Sequence, residues 1–262
     1  MKIKKYIVTL SLVTVMPFLM GVAANQDTEE VTTQVKKQED KAQTNKVTKQ
    51  GQVAANIKNV DKLLYKPPLR GAPAGRIGGG TRGGTERESF SLQVLVPDHA
   101  ALTVSDQPNL YWYISKLTTY PIELTIIEKK AVKPLIEKTI RGTDKAGIQV
   151  IRLADFGIHL RKNVQFKWFV TLLTDSEQRS KDILAGGIIT FVDAPPSLKD
   201  KLASAGRDNA SSVYAEEGIW YDALGAISGM IDASPGNREL RRMRASLLEQ
   251  IGLTEVAAFE NR

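Results

Sequence analysis

The sequence predicts a mainly β protein with a helical end: an antiparallel Ig-like or fibronectin-like β-sandwich, then a helical hairpin, at the end of a disordered N-terminal tether. Three observations carry this. Apolar residues alternate with period two over roughly the middle hundred residues. The period shifts to that of helices after Asp193-Ala-Pro195-Pro196. Before the alternation starts, the composition is too polar to build a core.

Residues 1–24 have the three parts of a secretory signal. Lys2, Lys4 and Lys5 make a positive start, Ile7 to Val22 carries no charge, and Val22-Ala23-Ala24 supplies small residues for cleavage after Ala24. The alternative, an anchor that is never cut, needs ~20 apolar residues to span a bilayer; this run is shorter and contains Pro17 and Gly21. The expectation is export to a bacterial periplasm or cell envelope, or secretion, with no membrane span in the mature chain.

Residues 25–64 lack aromatics and are rich in Gln, Thr, Lys, Glu and Asn. Such a segment buries too little to offset the entropy of ordering it, so it reads as the tether.

Residues 65–87 form a Pro/Gly/Arg-rich extended segment. Within YKPPLRGAPAGRIGGGTRGG (Tyr65 to Gly84), seven residues are Gly and three are Pro, and no acid occurs between Asp61 and Glu86. The whole chain carries +7; residues 1–24 account for +3 of it, and residues 65–87 hold an excess of +4, so the remainder cancels. The charge is one basic strip on a near-neutral body, which argues against a general nucleic-acid surface. Arg70, Arg76 and Arg82 are six residues apart. In polyproline II, three residues make a turn, and in a β-extended chain side chains alternate, so either conformation puts all three on one face. Such a strip can bind an acidic groove or an anionic polymer; the alternatives are a solvated linker or docking on the protein's own body, and the sequence leaves these open.

Residues 88–193 are the sandwich. Phe90, Leu92, Val94 and Val96 alternate up to Pro97; Leu110, Trp112 and Ile114 alternate, with Tyr111 and Tyr113 on the opposite face. Ile122 to Ile126, a weaker Val132 to Ile140, Ile148 to Leu153, Val164 to Leu172 and Ile188 to Val192 follow, with Gly186-Gly187 among the turn signals. About seven such strands at this spacing indicate a sandwich. Trp112 and Trp168 belong to its core. Tyr111 and Tyr113 are candidate ligand-surface residues. Leu160, Asn163 and Phe166 follow the pattern of a tyrosine corner, with Phe where the corner has Tyr.

Residues 194–262 are the hairpin. Val213, Trp220, Leu224, Ile227 and Ile231 share one face, Ser234-Pro235 reads as the N-cap and N1 of the next helix, and Leu240, Met243, Leu247 and Ile251 continue to a stop at Gly252. Thr254 reads as the cap of a last short helix. Glu216, Glu217 and Asp222, and the run Arg238, Arg241, Arg242 and Arg244, read as solvated helix faces.

The segment YKPPLRGAPAGRIGGGTRGG, with Leu95-Val-Pro97 and Gly218-Ile-Trp-Tyr-Asp-Ala-Leu224, resembles a family of exported bacterial proteins, frequent in cyanobacteria, catalogued as domain of unknown function 928. The likeness runs from about Tyr65 to Phe259. It implies an exported protein with a β-rich middle and a helical end, no activity, and no catalytic residues to carry over.

Little catalytic chemistry is in reach. The chain has no Cys, which excludes disulfides and thiolate sites, and only His99 and His159 as imidazoles. Gly78, Gly80 and Gly83 match a dinucleotide fingerprint in form, but Pro-rich chain precedes them and a strand follows, where the fingerprint needs a strand and then a helix. No cofactor and no metal site is expected. The leading expectation is a non-catalytic exported interaction module binding an unidentified envelope protein or an anionic polymer. The alternative is a hydrolase-type enzyme in which Asp98 and His99 of a predicted loop, near Asp106, act with a Ser brought close by the fold.

Overall fold

The computed structural model describes residues 63–68, 75–78 and 91–262. The expected signal, most of the tether, and Arg70 and Arg82 lie outside these residues.

Among the described residues nine strands form two sheets: β1 (Ile77–Gly78), β2 (Leu92–Val94), β3 (Ala101–Thr103), β4 (Asn109–Ile114), β5 (Ile122–Glu128), β6 (Ile136–Ile140), β7 (Gly147–Arg152), β8 (Gln165–Leu172) and β9 (Ile183–Phe191). The larger sheet runs β1-β9-β8-β5-β6, with β3 also on β9; the smaller runs β2-β4-β7. All pairings are antiparallel except β3 with β9. The protein is thus built mainly of antiparallel sheets.

Period two puts Phe166, Trp168, Val170 and Leu172 on one face of β8, and all four are buried. Removing each such side chain from water contributes about 1.5–3 kcal/mol, so β8 is the spine of the core. β6 starts at Ile136, later than the expected Val132, which is almost fully exposed. The intervening residues form the hairpin from β5, where Pro134 has no N–H to offer a ladder.

Gly186 and Gly187 correct the sequence reading. They are not a turn but the middle of β9, opposite Phe169 and Trp168. A Cβ on Gly186 would lie 2.4 Å from the Phe169 ring, and one on Gly187 would lie 2.8 Å from Val96. The strand keeps glycine because neighbouring side chains already fill the space. Two short pieces cover part of the outer edge of β9, β1 against Ala185 and Gly186 and β3 against Ile189 to Phe191. Covering an edge reduces its use as a template for foreign strands. At the turn before β8, Asn163 has φ 59°, a left-handed conformation that Asn tolerates.

The C-terminal part contains five helices: α1 (Leu198–Ala205), α2 (Ala210–Glu216), α3 (Trp220–Ala233), α4 (Arg238–Glu249) and α5 (Thr254–Glu260). α3 and α4 form the expected hairpin. Its turn differs from expectation: Ser234 ends α3, and Asn237 is the cap of α4, its side chain accepting from the Glu239 and Leu240 N–H groups. Gly252 stops the chain as expected, with φ 76°, and the residue capping α5 is Leu253 rather than Thr254.

These helices are continuous with the β core. Trp168 Nε1 donates to the Tyr221 hydroxyl at 2.8 Å, which donates to the Ile188 carbonyl at 3.2 Å. Trp220 Nε1 donates to the Leu95 carbonyl at 2.8 Å. Ser91 and Gln93 of the β2 region donate to Glu255 of α5 at 2.7 and 2.6 Å. Through Trp168, Tyr221 and Trp220 helix and sheet share buried polar partners, and separating them would break those buried bonds.

Candidate functional site

The structure settles where the described part of the Gly/Arg segment goes. Residues Leu63–Pro68 form a strap laid across the helices. Gln250 of α4 clamps its backbone, accepting from the Tyr65 N–H at 2.9 Å and donating to the Leu63 carbonyl at 2.7 Å. Lys66 N–H donates to the Ala215 carbonyl at 3.0 Å. Leu63 and Tyr65 are buried. The Tyr65 ring lies edge-on to Trp220, 4.9 Å away, and stacks on His99, and its hydroxyl is 2.9 Å from His99 Nε2. Burial pushes the Tyr65 pKa well above its ordinary value and lowers that of His99, so both are neutral partners. Gly75 passes so near the His99 carbonyl that a Cβ would overlap it, at 1.9 Å.

Arg76 follows the strap inward. Its guanidinium reaches the Val96 carbonyl at 3.5 Å and the Ile251 carbonyl at 3.4 Å, the latter just past the C-terminal end of α4. Carbonyls there lack helical partners, and a cation satisfies them. Arg76 is therefore docked on the protein's own body, while Arg70 and Arg82 lie outside the described residues.

Tyr111 and Tyr113 occupy the expected face of β4, but that face is covered. Tyr113 meets Phe259 of α5 edge-on at 5.4 Å. Both tyrosines are buried, and burial raises the Tyr111 pKa from its ordinary value. They are packing residues between sheet and helices rather than the lining of an open surface.

The histidines are apart and separately engaged. His99 is on Tyr65, and His159 Nδ1 lies 2.6 Å from Asp106 Oδ2 in an exposed pair. Asp98 is exposed. Among the described residues neither histidine bonds a serine, so the Asp–His–Ser arrangement of a hydrolase is not assembled from these groups.

One concave site lies where the sequence reading placed a solvated face. Arg238, Arg241 and Arg242 follow helical i, i+3, i+4 spacing, which gathers them at the N-terminal end of α4. α5 returns to bring Arg262 beside them. Together with Pro235, Gly236, Glu260 and Asn261 these residues line a cleft of about 430 Å³. Arg244 is the exception in the run and a correction to the solvated reading. It is buried, with Nε and a terminal nitrogen each 2.7 Å from Glu260 Oε2 and the other terminal nitrogen donating to Ser228 at 3.1 Å. That pair cancels the one acid on the cleft wall. Arg241 donates to the Pro235 carbonyl at 3.1 Å, which fixes its direction, and Arg242 leans on Glu239 at 3.4 Å. Arg238 and Arg262 are exposed. Four guanidiniums around one concavity, with the sole lining carboxylate neutralised from behind, suit an anion bearing carboxylate, sulfate or phosphate groups.

The helical spacing of Arg238, Arg241 and Arg242 was a signal available in the sequence. The arrival of Arg262 and the inward turn of Arg244 depend on how α5 folds back, which no local pattern carries. Among the described residues no group of three or more His, Asp or Glu is placed to hold a metal, and no helix is long and apolar enough to cross a membrane.

A family model described as Domain of Unknown Function (DUF928) matches residues 77–260. No curated protein matches the chain. Among solved structures, a multi-domain immunophilin from Arabidopsis thaliana is similar at 7% identity over 74% of this chain and 98% of its own, with a TM-score of 0.16. A likeness that low carries no argument about fold or function.

Proposed function

The chain belongs to the Domain of Unknown Function (DUF928) family, and on that premise we propose that it is a non-catalytic, exported interaction module that holds an anionic polymer in the arginine cleft of its helical hairpin. The observation that carries the reading is the convergence of Arg238, Arg241, Arg242 and Arg262 on one cleft while Arg244 neutralises Glu260 beneath it. Guanidinium forks match carboxylate and sulfate geometry in a way that ammonium groups do not. Export is supported by the signal-like residues 1–24 and places the partner in a bacterial periplasm, envelope or medium. The two mainly antiparallel sheets and the left-handed Asn163 ahead of Phe166 support an Ig-like or fibronectin-like arrangement of the β part.

The test is binding of the chain cleaved after Ala24 to polygalacturonate and to dextran sulfate, with neutral dextran as control. The reading expects binding to both polyanions that weakens steadily as salt is raised. Equal retention on neutral dextran, or binding indifferent to salt, would overturn it.

A further inference from the structure

A second pocket, acidic where the arginine cleft is basic, lies at the first turn of α3. Asp222 is half-buried at the start of that helix, and its Oδ2 accepts from Thr103 Oγ1 at 2.8 Å and from the Val104 N–H at 3.1 Å. The sequence reading placed it on a solvated face. It instead lines a pocket of about 290 Å³ with Ser105, Gln107, Asn109, Tyr214 and Gly225 among its walls. No Lys or Arg is part of that lining, and among the described residues Asp222 forms no ion pair. A carboxylate taken partly out of water without a cation is costly, and a neutral Asn would make the same two bonds without that cost. Its place in the first turn of α3 gives the charge one favourable partner, the positive end of that helix, but no side-chain cation.

We propose that this pocket binds a small organic cation, an alkylammonium or guanidinium compound, with Asp222 as its counter-ion. The walls suit that chemistry. Tyr214 contributes an aromatic ring, whose face attracts cations. Ser105, Gln107 and Asn109 add neutral polar groups around the carboxylate. The volume is that of a small ligand, at the lower end of the usual ~300–1,000 Å³ range. Gly225 leaves the floor open: a Cβ there would meet nothing within 4 Å. Desolvation by burial raises the Asp222 pKa from its ordinary value despite its hydrogen bonds. This site shares no lining residue with the arginine cleft, so the two proposals stand or fall separately.

The experiment is an NMR titration of the chain with cadaverine and agmatine as probes, and 1,5-pentanediol as the uncharged analogue. Two variants accompany it. Asp222→Asn keeps the shape and the acceptor oxygen but removes the charge. Gly225→Leu leaves Asp222 in place and fills the pocket. The proposal expects saturable shifts of the Tyr214 and Gly225 amides at millimolar amine and none with the diol. It expects about a tenfold or greater loss of affinity in Asp222→Asn and loss of binding in Gly225→Leu. Absence of saturable shifts in the unaltered chain overturns the proposal, and so does unchanged amine binding in either variant. Should Asp222→Asn fail to fold, the Gly225→Leu arm and the diol control still decide it.

Discussion

The strap and the arginine face of α4 are both polar segments at the protein surface, yet they use their donors in opposite directions. Along the strap most of the strong groups described are turned inward, Lys66 being the exposed exception: Tyr65 onto His99 and Trp220, its N–H onto Gln250, and Arg76 onto carbonyls of the body. On α4, Arg244 alone turns inward, while Arg238, Arg241 and Arg242 border open space. Identical side chains thus serve two purposes. Where a guanidinium closes on buried partners it belongs to the fold, and removing it leaves a partner unsatisfied. Where it edges a concavity it adds little to stability and is free to meet a ligand.

That contrast can be broken most sharply at Arg244. Replacing it by Met strands the buried Glu260 carboxylate, and loss of one partner of a buried pair costs about 3–5 kcal/mol. The thermal midpoint should fall on the order of 10 °C. A midpoint near that of the unaltered chain would mean that the pair is not buried in solution.

Tyr65→Ala should cost about 3 kcal/mol through lost burial, and Tyr65→Phe about 1 kcal/mol through the lost bond to His99. Both should speed proteolysis between residues 63 and 78, the alanine variant more. Equal protease resistance in all three chains would show that the strap is not held by this residue.

A pH titration sharpens the same region. Burial lowers the His99 pKa, so the folded state favours its neutral form. The stability tied to that form is complete above the ordinary histidine value of about 6.5 and is lost as pH falls from there through the lowered folded value. The protection factor of the Tyr65 amide, its exchange rate corrected for the intrinsic pH dependence, should fall over that window. His99→Gln should flatten that fall; if it persists in the variant, another group is responsible.

How far the chain could be read from its residues follows from the range of the interactions involved. β4, β5 and β8 were legible because period two is local and their faces are buried. β1 and β3 were not, since each is two or three residues long and exists only by pairing with β9. Gly186-Gly187 carried a true turn signature that Phe169 of β8 and Val96, just past β2, override. The hairpin was visible in its apolar face, but the cap moved from Ser234 to Asn237 because a turn through Pro235 and Gly236 intervenes. Asp222 and Arg244 read as solvated because their partners are tertiary: Thr103 lies 119 residues from Asp222, and Glu260 arrives only when α5 folds back. The inward course of Arg76 is of the same kind, since Ile251 is 175 residues away.

The smallest expected change in stability accompanies the largest expected change in binding, and that pairing is the most direct test of the account. Arg238→Gln, Arg241→Gln, Arg242→Gln and Arg262→Gln would be combined in one chain, and its thermal midpoint and its affinity for dextran sulfate measured beside the unaltered protein. Each change at an exposed site should shift stability by within about 0.5 kcal/mol. The midpoint should fall by no more than a few degrees, and salt-sensitive polyanion binding should be lost. Retained binding would contradict the account, and a collapse of the midpoint like that expected for Arg244→Met would show that the cleft arginines belong to the fold as the strap does.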